Sequence, residues 1–135
     1  MEGPSAISAD ADLDAEVDSF DRFSFGLVQL EPHPLGELHR AVERFTGEVA
    51  NHLARSQVER IPSTLAQEHD RFRDSMLELR SLLAVVERED HGGHRQALGQ
   101  YGRIFAEAMR RHRADERSFF AVGEARPPSG RPGKR

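Results

Sequence analysis

The stretch that decides the fold runs from Pro62 to Glu89 and reads PSTLAQEHDRFRDSMLELRSLLAVVERE. Leu65, His69, Phe72, Met76, Leu79, Leu83 and Val86 follow one another at alternating steps of four and three. That rhythm keeps one side of a 3.6-residue helix turned toward neighbouring helices, as in a bundle. Pro62 suits a helix start, and Thr64 with Gln67 has the spacing of a capping box. The run Asp90-His91-Gly92-Gly93 is expected to end the helix.

Working outward, a helix is expected on each side. The preceding one spans about Pro34 to Val58, with Leu35, Leu38, Val42, Phe45, Val49 and Leu53 at helical spacing. The following one spans about His94 to Val122. Its seam is drawn through Leu98, Tyr101, Phe105, Ala108, His112, Asp115 and Phe119, and Gly123 is its stop. Gly99 and Gly102 each cost that helix roughly 1 kcal/mol against alanine, so packing must hold this turn. Phe20 to Leu30 reads as an apolar arm or short helix covering one end. The expected class is all-α: an antiparallel, four-helix-bundle-like domain over residues 23–122. Residues 1–22, acidic and poor in large apolar groups, are expected to be disordered, as is the basic Pro/Gly-rich tail 123–135.

Composition narrows the function. Of 135 residues, 37% are hydrophobic and 31% charged, and the formal net charge of −4 argues against an ordinary nucleic-acid binder. No apolar run reaches the roughly 18 residues that a membrane span needs. There is no basic, apolar leader, so a cytoplasmic location is expected. The absence of cysteine excludes a disulfide scaffold, a zinc-thiolate site, an iron–sulfur cluster and a thiol nucleophile. Ser63, Ser75, Ser81 and Ser118 have no evident base beside them, and there is no Gly-rich phosphate loop. Seven histidines remain, and a bound metal would rely on His, Asp and Glu.

Two histidines fall on seams: His69 on the central helix and His112 on the last. Glu116 lies four residues beyond His112, about 40° away at 100° per residue. A carboxylate on an apolar seam is costly unless paired. Two imidazoles and a carboxylate between helices suit iron, manganese or zinc. The plainer reading is that both histidines are hydrogen-bonded core residues. His39 and Glu43 repeat the His-x-x-x-Glu spacing and form a second candidate pair. At 100° per residue His39 lies about 80° and His52 about 60° from the apolar centre of their helix, which favours the surface for both. Arg103, Arg110, Arg111, Arg113 and Arg117 are expected to face water, and His33, His91 and His94 to lie in loops or helix ends.

The stretch Leu65 to Arg73, LAQEHDRFR, resembles the first metal-ligand helix of hemerythrin-like (HHE cation-binding) domains, with its Glu-His pair followed by an apolar residue. Phe105 to Phe120, FAEAMRRHRADERSFF, resembles that family's second helix, where His-x-x-x-Glu precedes an apolar end. The match covers about residues 62–121. The resemblance implies an up-down four-helix bundle with a non-haem di-iron site and a role in oxygen binding, redox sensing or iron handling. It makes His69 a first-helix ligand, His112 a terminal ligand and Glu116 a bridging carboxylate. The family has two further ligand-bearing helices beyond this match. The remaining ligands are therefore expected from the front helix, with His39 and Glu43, or from a second copy in a homodimer. The alternative is a metal-free bundle that binds a partner helix or itself.

Overall fold

The structure, a computed structural model, describes residues 10–56 and 61–125, with side chains to residue 121. Four helices follow in order: α1 Ala11–Val28, α2 Leu35–Ser56, α3 Ser63–Arg88 and α4 Gly92–Ala125. No strand occurs among the described residues, and the all-α class is as expected. No helix there is long and apolar enough to cross a membrane.

Each helix packs on two neighbours only: α1 on α2 and α4, α3 on α2 and α4. Short connections turn successive helices back on themselves, so the four form an up-down ring. Their facing residues make one core, with Leu13, Val17, Phe20 and Leu27 from α1 and Leu38, Val42, Phe45 and Val49 from α2. Phe72, Met76, Leu79, Leu83 and Val86 come from α3, and Leu98, Phe105 and Met109 from α4. All seven seam residues named on α3 are buried. Phe20 stacks on Phe45 at 4.2 Å, Phe45 meets Phe105 edge-on at 5.0 Å, and Phe72 stacks on Phe105 at 5.9 Å. These rings form an aromatic layer across the bundle.

Three expectations need correction. Residues 11–22 are not disordered but form most of α1. Between its acidic residues, Leu13, Val17, Phe20, Ser24 and Leu27 are buried. This stripe gives α1 enough apolar surface to dock, while its acids line the edges. Asp10 caps the helix, accepting from the Leu13 amide at 3.3 Å. The apolar arm at Phe20–Leu30 is thus the later half of a full helix. It ends in a Schellman motif, with Leu30 amide to Leu27 carbonyl at 3.0 Å and Glu31 amide to Gly26 carbonyl at 2.9 Å. Leu30 takes the left-handed position, at φ 62°, where glycine is usual.

Second, α4 begins at Gly92, inside the run read as a break, and continues past Gly123. Third, its buried seam is rotated from the one drawn. Leu98, Gly102, Phe105, Met109, His112 and Glu116 are buried, whereas Asp115 and Phe119 are exposed. A second buried stripe, Gly99, Ala106 and Arg113, faces α1. A Cβ on Gly99 would stand 2.6 Å from the Ser24 carbonyl oxygen, so glycine is what lets α1 and α4 approach. The expectations for residues 1–9 and 126–135, and for 57–58 as the end of the front helix, lie outside the described residues.

Candidate metal centre

In an up-down ring the start of α1 and α3 and the end of α2 and α4 share one end of the bundle. The chain places its polar seam residues there. His52 comes from α2, His69 from α3, and His112 and Glu116 from α4. All four are buried, and each offers a ligand atom within 4.8 Å of the others. His69 Nε2 and His112 Nε2 are 3.0 Å apart. Glu116 Oε2 lies 2.9 Å from His112 Nε2 and 3.6 Å from His69 Nε2. His52 Nε2 is 3.1 Å from both carboxylate oxygens. Beneath the cluster, the ring of Phe72 meets that of His112 edge-on at 5.0 Å.

The opposite ring nitrogens are all engaged. His52 Nδ1 donates to Asp10 Oδ2 at 3.1 Å, and His112 Nδ1 donates to Glu68 Oε1 at 2.5 Å. The Ser56 hydroxyl donates to the Leu53 carbonyl at 2.9 Å, so its oxygen accepts from His69 Nδ1 at 3.1 Å. Each imidazole therefore carries a proton on Nδ1. When neutral, each has its Nε2 lone pair aimed at the shared centre. Outer hydrogen bonds of this kind fix the tautomer and orientation of metal-ligating histidines.

Glu116 also binds Arg113, whose Nη1 donates to Oε1 at 3.0 Å. Burial works against the Glu116 charge, but the imidazoles of His112, His52 and His69, which donate to it when Nε2 also carries a proton, outweigh burial and hold the carboxyl far below its usual range. Burial likewise works against a charged His112. Its bonds to Glu116 and Glu68 prevail, and its pKa is raised. Asp10 follows the same pattern: burial opposes its charge, while bonds from Arg55, His52 and the Leu13 amide hold its pKa down.

Of the residues named from sequence, His69, His112 and Glu116 converge. His39 and Glu43 do not join them. His39 is 54% exposed and pairs with Glu87 at 3.2 Å, and Glu43 is 47% exposed beside Arg80. Both lie on the outer face of α2, so spacing alone misplaced them. His52, assigned to the surface, is instead the third imidazole, and it comes from the front helix of the same chain. Arg113, also assigned to water, is 1% exposed. The missed signal is the four-three rhythm carried on from Leu38 through Val42, Phe45 and Val49. It reaches His52 and Ser56 without a break. On α1 the same rhythm leads back from Leu27 through Ser24, Phe20, Val17 and Leu13 to Asp10.

A second group, Glu89, His91 and His94, lies at the α3–α4 turn. His91 Nδ1 accepts the Gly93 amide at 3.1 Å and His94 Nδ1 donates to the Glu89 carbonyl at 2.7 Å, so both histidines cap this turn. No family model, curated protein or solved structure matches the chain.

Proposed function

We propose that this protein is a metal-binding four-helix bundle whose centre takes one divalent transition-metal ion. The ligands are Nε2 of His52, His69 and His112 and a carboxylate oxygen of Glu116. The observation that carries the reading is the convergence of three Nε2 atoms whose Nδ1 partners are already fixed. Ligands held tetrahedrally at about 2.1 Å lie about 3.4 Å apart. The carboxylate–imidazole and His69–His112 separations run from 2.9 to 3.6 Å, and all four ligand atoms lie within 4.8 Å of one another, so modest side-chain shifts close the set on one ion. Three imidazoles with one carboxylate form a hard-to-borderline set. Four donors from one chain match one ion, so this reading needs no second copy; a di-iron site would need more donors.

Iron is the ion that the hemerythrin resemblance favours, with a role in oxygen binding or redox sensing. Bound iron would supply reversible one-electron chemistry and a position for a diatomic ligand. The chain's own part is to fix the three rings, offset the Glu116 charge with Arg113 and shield the centre with Phe72.

Metal-stripped protein titrated anaerobically with ferrous iron should take up one ion per chain, and visible absorption should appear on exposure to air. His112→Ala should abolish stoichiometric uptake. Two ions per chain, or uptake untouched by His112→Ala, would sink the single-ion reading. A second reading rests on Arg113. Because it already offsets Glu116, the cluster can stand as a buried polar network in a metal-free interaction module. A ligand that binds only the native state must raise its melting temperature. A midpoint indifferent to iron, zinc and cobalt would favour this second reading.

A further inference from the structure

Two of the four donors are held in place from α1, a helix that offers no donor of its own. Asp10, the α1 cap, accepts His52 Nδ1–H at 3.1 Å and also binds the Arg55 guanidinium. Asp14, one turn on, takes Arg113 on both oxygens, with Nε to Oδ1 at 2.8 Å and Nη2 to Oδ2 at 3.2 Å. Arg113 in turn holds Glu116 Oε1 and leaves Oε2 toward His69 and His112. We propose that Asp10 and Asp14 are positioning residues for the centre, so that docking of the first turn of α1 and occupancy by a cation are linked equilibria. This rests on the metal reading above.

The physical reason is orientation. With Asp10 removed, the His52 ring loses the acceptor that fixes its Nδ1 tautomer. With Asp14 removed, Arg113 loses the pairing that sets its plane, and Glu116 loses its alignment. Coupling between two such events is reciprocal: α1 docking raises cation affinity by the factor by which the cation favours docking. Asp14 also pairs with Arg117 at 3.0 Å, and the α1–α4 ion pairs that do not involve Asp14 supply an internal control. Asp18 and Asp21 bind Arg110 at 3.0 and 3.2 Å, and Asp21 binds Arg103 at 3.1 Å. These pairs join the same two helices but touch no donor.

The test is a cobalt(II) titration of the metal-stripped full chain, with visible absorption reporting both affinity and coordination. Asp10→Asn preserves the helix cap, since asparagine caps as well as aspartate. Asp10→Asn and Asp14→Asn should each weaken cobalt binding by roughly 10–100-fold and shift the absorption bands. Asp18→Asn should bind within about twofold of the parent. Hydrogen exchange at the amides of residues 14–18 should slow when cobalt is added to the parent. Parent-like affinity in Asp10→Asn and Asp14→Asn would overturn this inference and leave the metal reading standing. Equal weakening in Asp18→Asn would also overturn it, by showing only a general need for α1. A parent chain that binds no cobalt would overturn both.

Discussion

The two ends of the bundle are made by the same four helices on opposite principles. At one end Leu27, Leu38, Leu83, Val86 and Leu98 fill space and nothing else. At the other, Asp10, His52, Ser56, His69, His112, Arg113 and Glu116 are buried, and each is tied to another by a directed hydrogen bond. An apolar core tolerates exchange of shapes that conserve volume. A buried polar network tolerates little, because a lost partner leaves a group with neither water nor protein to satisfy it. The aromatic layer of Phe20, Phe45, Phe72 and Phe105 separates the two regimes.

That contrast is sharpest where a shared partner is removed. Glu116→Ala takes the one carboxylate that His52, His69, His112 and Arg113 share, while Arg113 keeps its pair with Asp14. It should cost about 3–5 kcal/mol in denaturant unfolding at neutral pH, as expected when one member of a buried pair is removed. It should also lower metal uptake. Leu79→Ala, in the apolar half, should cost about 2–5 kcal/mol through the cavity it leaves. Its metal stoichiometry should be unchanged. Loss of metal in Leu79→Ala alone would show that the two ends are not independent.

The polar end should also respond to pH, where the apolar end should not. In the metal-free chain, the raised pKa of His112 gives stability that is fully present below its ordinary value of 6.5 and lost as pH climbs through the raised value. The depressed pKa of Glu116 gives stability that is present above its ordinary value of 4.5 and lost as pH falls toward the depressed one. Metal-free stability from this pair should therefore be greatest between these two ordinary values and decline on the alkaline side. Metal binding requires deprotonated Nε2, so affinity should instead grow as pH rises over the same alkaline range. Melting curves with and without metal across that range should slope in opposite directions. Parallel slopes would argue that protons and metal do not compete at His112.

The smaller effects test the apolar end and the rim. Leu83→Met, which conserves volume, should cost less than about 1.5 kcal/mol. Arg110→Ala, at an exposed pair with Asp18 and Asp21, should cost less than about 1 kcal/mol and leave metal binding unchanged. A larger loss in Arg110→Ala than in Leu83→Met would mean that the α1–α4 ion pairs act as a network.

Much of this was legible in the chain. The α3 seam from Leu65 to Val86 is buried as drawn, and three helices lie close to their expected spans. His69, His112 and Glu116 could be singled out because each sits where apolar residues set the pattern. His52 escaped because an angle of 100° per residue is that of a straight helix. A bundle seam repeats every 3.5 residues, and the two drift apart by about 20° per heptad. Across the two heptads from Leu38 to His52 that drift is enough to turn a seam position into an apparent surface one. Asp10 and Asp14 escaped for another reason. An acidic segment reads as solvated, and nothing local tells it that arginines of α4 and a histidine of α2 will face it.

The sequence by itself therefore determined what depends on neighbours along the chain. That includes helical rhythm, the choice of an all-α bundle, and the presence of imidazole and carboxylate on inward faces. Tertiary structure alone decided which inward residues meet. Meeting depends on the register between antiparallel helices, which is set by side-chain packing such as Ser24 against Gly99 and Gly102. That packing brings residues as distant in sequence as Asp10, His52, His69 and Glu116 to one end of the bundle. It turns a scattered set of polar residues into one buried cluster of three imidazoles and a carboxylate that could hold a metal ion.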